Sequence, residues 1–257
     1  MNTAVSGENN APLYAGCRRL ALDAPFRWLR KGWQDFRRAP LHSLAYGVIF
    51  TAIGWLLIYL SRVDMIYFLL GLFAAVLVVG PALAFGLYDA SRQIELNRSP
   101  SFRHERRKAL HEMGHELMLA LWLSLTFMVL LLLIATVMDV VVAPPPYPVR
   151  AAVPMTDTAF LVVAAVFGVL LFCISAFALP MIVDQDATAV TAIATSLNAV
   201  WRNKGVIALW ALLVLVLAAA GFATALAGFM VIAPVLGYAT WHAYREAIVA
   251  GDRGQRY

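Results

Sequence analysis

Residues 206–241 carry no charged side chain. As a single helix this stretch would be about 54 Å long at 1.5 Å per residue, against a hydrocarbon layer of about 30 Å. It must therefore fold back, and Gly221 is the expected turn. A chain able to bury such a hairpin is a membrane protein, and the remaining composition agrees. Hydrophobic residues make up 62% and charged residues 14%, with mean hydropathy +0.76, where a soluble domain carries about 25% charged residues. The fold class read from this is an all-α integral membrane protein, with no room for a large soluble domain in 257 residues.

The same criterion of apolar run length places six transmembrane helices at about 41–60, 65–88, 117–142, 159–183, 206–220 and 222–244. They form one transmembrane domain over residues 23–250. Residues 1–22 are polar and aperiodic, and are expected to be a disordered cytoplasmic tail. Residues 1–16 have neither a basic nor an apolar stretch, so the first span is expected to act as its own insertion signal. Asp23 and Pro25 suit a helix start. Phe26, Leu29, Trp33 and Phe36 then recur at helical spacing against Arg27, Arg30, Lys31, Arg37 and Arg38, and Pro40 ends the helix. Asp186 can cap a second amphipathic helix, in which Val190, Ile193, Leu197 and Val200 share a face. With the basic segment 92–115, the spans group into three hairpins, each entered through a cytoplasmic amphipathic helix.

Orientation follows from the cations. Eighteen of the twenty Lys and Arg precede span one, connect spans two to three or four to five, or follow span six; only Arg62 and Arg150 fall elsewhere. That asymmetry puts both termini in the cytoplasm and predicts a multi-pass inner-membrane protein. The basic segments are expected to face anionic headgroups of the bilayer, and no nucleic-acid partner is expected. Small residues four apart, Ala220, Thr224 and Gly228, permit close helix approach within the chain or in a homo-oligomer.

One pattern occurs twice. Pro81, Phe85, Tyr88 and Arg92 have the spacing of Pro234, Tyr238, Trp241 and Arg245. Both copies close a hairpin at the cytoplasmic leaflet, which reads as an internal repeat with parallel orientation. Asp89 and His242 occupy equivalent positions, and with Asp184 they are expected to gather at one cytoplasmic rim.

Catalytic chemistry has one candidate, His111-Glu112-Met113-Gly114-His115. On a helix His111 and His115 share a face and can bind zinc, Glu112 can activate a metal-bound water, and Asp184, Asp186 or His242 could complete the ligands. The competing interpretation is a wetted interfacial helix. Haem is not expected, because all five histidines lie at or beyond the cytoplasmic boundary. Nor does any span carry a charge at mid-depth, which disfavours ion-coupled transport, although Pro81, Pro180 and Pro234 could open a path for a neutral substrate. Cys17 and Cys173 fall at different depths and are not expected to pair.

Several stretches together resemble a bacterial family of predicted integral membrane proteins with a domain of unknown function (DUF2189). They are Gly32-Trp33-x-Asp35 with Ala39-Pro40, Ser43-Leu44-x-Tyr46-Gly47, Pro180-Met181-x2-Asp184, Ala192-x3-Ser196, and the run from Pro234 to Arg245. Some members carry the label of cytochrome c oxidase subunit, which points to a place beside a respiratory oxidase, and the resemblance implies no established activity. An accessory or scaffolding subunit without a cofactor is the function expected. A zinc metallohydrolase and a small-molecule channel or carrier are the alternatives.

Overall fold

The computed structural model describes residues 15–64, 71–72, 75, 79–101, 154–185 and 187–249. Seven helices lie among them: α1 (Ala24–Arg38), α2 (Pro40–Val63), α3 (Gly80–Glu95), α4 (Pro154–Gln185), α5 (Ala189–Arg202), α6 (Lys204–Ala223) and α7 (Phe229–Ala247). No strand occurs among the described residues.

The local chemistry explains the boundaries. Pro25 sits in the first turn of α1, where a missing N–H costs nothing, and Ala39 leaves helical geometry ahead of Pro40, which then opens α2. Trp28, Gly32, Asp35 and Phe36 form the buried stripe of α1. The cap of α5 is Thr188, whose hydroxyl accepts from the Thr191 N–H at 3.3 Å, rather than the expected Asp186, which lies outside the described residues.

Three of these helices are long and apolar enough to cross a membrane: α2, the Gly168–Gln185 part of α4, and α6. Of the second expected span the structure describes chiefly the end, as α3, and the third lies outside the described residues. α7 is a helix where the sixth span was expected, but its last turns are polar and it is not among the three.

The fold-back of the uncharged stretch comes later than expected. α6 continues past Gly221 to Ala223, and the turn occupies residues 224–228. Ala225 and Leu226 adopt φ of 50° and 71°, a left-handed conformation that side-chain-bearing residues rarely take. The turn is held from α2, where Trp55 Nε1 donates to the Ala225 carbonyl at 2.8 Å and the Thr51 hydroxyl to that of Leu226 at 3.3 Å. Gly221 has a packing role instead, since a Cβ there would sit 2.6 Å from the Phe229 ring. α2 continues eight residues past Trp55, about 12 Å.

α7 is the hub, packed against α1, α2, α3, α4 and α6. Contact with α2 is backbone to backbone: a Cβ on Gly47 would overlap the carbonyl of Met230. The largest fully buried side chains, Trp28, Trp241, Tyr238, Tyr244, Phe177 and Met181, gather around its C-terminal half. Away from that end the helices turn Leu56, Ile58, Val169, Leu170, Leu215 and Val216 outward, as a lipid-facing surface requires.

Residues 15–22, expected to belong to a mobile tail, are instead seated on the bundle. Arg18 N donates to the Ala247 carbonyl and Val249 N to that of Gly16, both at 2.8 Å. Asn203 accepts from Leu20 N at 2.8 Å and donates to the Arg18 carbonyl at 2.9 Å. Nearly all of these bonds use the main chain of the segment, so its side chains needed no periodic pattern.

Candidate functional site: the polar layer around α7

The last three turns of α7 present a different polar group to each neighbour. Tyr238 shares a 2.9 Å hydrogen bond with Ser43 of α2. Trp241 donates from Nε1 to Glu95 of α3 at 3.2 Å. His242 Nε2 lies 2.8 Å from Asp35 Oδ2 of α1. Tyr244 donates to Asp184 of α4 at 2.8 Å and accepts from Gln185 at 2.7 Å. Arg245 reaches Glu95 at 3.3 Å and Asp184 at 3.4 Å, while Glu246 accepts from Trp28 Nε1 at 3.0 Å and Arg27 at 2.6 Å. A helix rotates about 100° per residue, so consecutive polar residues necessarily address different partners. Here four surrounding helices each supply an acceptor.

Two acceptors organise the layer. Asp35 is buried, and one of its oxygens receives both the His242 ring and the hydroxyl of Ser91, the latter at 2.7 Å. Because a carboxylate only accepts, Nε2 is the nitrogen carrying hydrogen. Serine, histidine and aspartate are thus together but not in catalytic order: Ser91 donates to Asp35 instead of to the imidazole, and it is fully buried. Asp184 is the second centre. Besides Tyr244 it meets Arg245 and Arg92, the latter at 3.8 Å, so the arginines that end both copies of the repeated pattern converge on one carboxylate.

Of the residues singled out by sequence, His242 and Asp184 are both in this layer with different partners. Asp89 is buried on α3 and accepts from Gln93 of its own helix at 2.6 Å. His111, Glu112 and His115 lie outside the described residues. Among the described residues no group of three or more His, Cys, Asp or Glu is placed to hold a metal. Sequence reasoning passed over Asp35, Glu95 and Glu246. Asp35 lies off the expected stripe of Phe26, Leu29, Trp33 and Phe36, on the face of Trp28 and Gly32 that the structure buries, and Glu95 and Glu246 look like ordinary solvated residues.

At the edge of the layer, the hydrogen bond from Arg27 holds the Asp23 carboxyl below the usual range. Cys17 contrasts with it. Burial pushes its thiol up, only partly offset by Asn198 and the charge of Arg202.

With three helices of spanning length and composition, the chain is an integral membrane protein. Residues 68–184 match the DUF2189 family, described as predicted integral membrane protein. This is the family that the motifs resemble, and the DUF2189 match takes in α3 with the first copy of the pattern and ends on Asp184. Comparison with curated proteins and with solved structures gave no match.

Proposed function

We propose that this protein is a multi-pass bacterial inner-membrane subunit with an accessory or scaffolding role and no catalytic chemistry of its own. The observation that carries the proposal is the commitment of the polar layer to joining helices. Asp35 and Glu246 tie α7 to α1, Glu95 ties it to α3 and Asp184 ties it to α4. Buried polar networks of this kind define one arrangement of helices, which is what a scaffold requires. In this proposal six membrane segments form three hairpins with both termini in the cytoplasm, and α6 and α7 return to the face they entered from. The convergence of Arg92 and Arg245 on Asp184 supports treating α3 and α7 as ends of related hairpins.

The family label of oxidase subunit names the complex to test first. Purification of the full chain from its native membrane in mild detergent, followed by identification of what accompanies it, is expected to return a stoichiometric membrane partner. A reproducibly lone monomer overturns the scaffolding role. Reporter fusions after residues 64 and 101 test the orientation, with opposite signals expected.

A further inference from the structure

A cavity of about 480 Å³ opens at the elbow between α1 and α2. Two arginines from separate segments line it, Arg38 in the last turn of α1 and Arg98 just beyond α3, together with Pro40, the buried His42 and Ile94. Arg27, Arg92 and Arg245 all face carboxylates. No carboxylate among the described residues is within ion-pair distance of Arg38 or Arg98. Two like charges lining one open cavity repel, weakly where water screens them, and an anion between them turns that repulsion into attraction.

Position names the anion. α2 is long and apolar enough to cross a bilayer, so its first turn marks the level at which the hydrocarbon ends and headgroup phosphates begin. Ala39 gives that helix no side-chain cap, and the positive end of the helix dipole adds to the arginines. The lip is apolar: Leu41 is 84% exposed, and Leu44 and Val48 continue outward along α2 toward the acyl chains. Arginine forks suit phosphate oxygens. We propose that this cavity binds the phosphate of an anionic membrane lipid, whose acyl chains lie along α2. The proposal does not depend on the scaffolding role.

Native mass spectrometry of the full chain in detergent tests it, with dioleoyl phosphatidylglycerol, dioleoyl phosphatidylcholine and inorganic phosphate as separate probes. Phosphatidylglycerol is expected to bind at least about tenfold more tightly than phosphatidylcholine, whose choline cation would face both arginines. Arg38→Gln and Arg98→Gln should each weaken phosphatidylglycerol by roughly tenfold, the loss of one charge-assisted hydrogen bond. The preference should vanish in the double variant and persist in Arg37→Gln, an exposed neighbour outside the cavity. Both arginines are exposed, so the variants are expected to fold; should the double variant fail, Arg98→Gln alone carries the test. Unchanged lipid preference without the arginines overturns the proposal. Displacement of phosphatidylglycerol by millimolar phosphate overturns the lipid source and assigns the cavity to a soluble phosphate compound.

Discussion

α3 and α7 carry the same pattern of proline, two aromatics and arginine, yet they are built into the molecule differently. In α7 the polar residues of the last turns bond to four other helices, and its apolar half touches the backbone of α2. In α3 the residue equivalent to His242, Asp89, accepts from Gln93 of its own helix as one of its contacts, and Arg92 meets Asp184 at 3.8 Å. A shared pattern therefore does not determine how a helix is built in, and the tertiary partners decide which copy organises the rest. α7 does so because acceptors on α1, α3 and α4 are all in place.

The sharpest way to break this contrast is at the closest backbone contact. Gly47→Ala puts a methyl group onto the Met230 carbonyl, a main-chain atom that cannot swing aside. Separating α2 from α7 is expected to cost about 3 kcal/mol, at the upper end of overpacking losses. Thermal unfolding in detergent reads this as a clear fall in Tm. Gly168→Ala, whose added methyl meets no atom of the described residues within 4 Å, should leave Tm unchanged or slightly raised. If the two variants behave alike, close approach to α7 does not organise the bundle.

Asp35→Leu comes next. It removes the acceptor of the buried Ser91 hydroxyl and of the partly buried His242 ring, so a loss of about 2–3 kcal/mol is expected from unsatisfied groups. Asp35→Asn retains an acceptor and should recover part of that loss. Equal Tm values for both substitutions would show that the carboxylate does not hold the layer. Smaller effects are expected at the paired arginines. Arg245 meets two carboxylates and Arg92 one, but both are substantially exposed, so screening keeps each below about 1 kcal/mol. Arg245→Gln should still lower Tm more than Arg92→Gln, and the reverse order would contradict the dominance of α7.

How far all this was legible in the sequence varied with the kind of interaction. α1 and α5 announced themselves by apolar residues at helical spacing, and α2 and α6 by unbroken apolar length, but the spacing did not show which face is buried: Phe26, Trp33, Val190 and Leu197 are exposed, while Trp28, Asp35, Ala192, Thr195, Ser196 and Ala199 are buried. Gly221 misplaced the turn for an instructive reason. Glycine serves both turning and close packing, and here it makes room for Phe229, while Ala225 and Leu226 turn with support from Trp55 and Thr51, distant in sequence. The candidate layer was half legible: His242 and Asp184 stood out as polar groups beside apolar spans. Their partners Asp35 and Tyr244 depend on how α1 and α4 rotate against α7, which no spacing within one helix records. The seat of residues 15–22 was invisible because main-chain bonds carry it.

That seat offers the finest test of the asymmetry, since it latches the end of α7 and leaves that of α3 alone. Arg18 N bonds the Ala247 carbonyl, and the neighbouring Cys17 is buried beside Thr195 and Asn198. The thiolate is the reactive form, and burial raises the pKa of this thiol. In a Cys173→Ser background, maleimide should therefore label Cys17 at neutral pH more slowly than a free thiol, by roughly tenfold or more, and the rate should keep rising above the pH at which a free thiol levels off. Asn203→Ala removes the side chain that bonds both Leu20 N and the Arg18 carbonyl. Freed from it, the segment should lift more often and expose Cys17, giving faster labelling with little change in global Tm. Rapid neutral-pH labelling of Cys17 with Asn203 intact would mean that the segment does not hold the end of α7, and the two helix ends would then be alike.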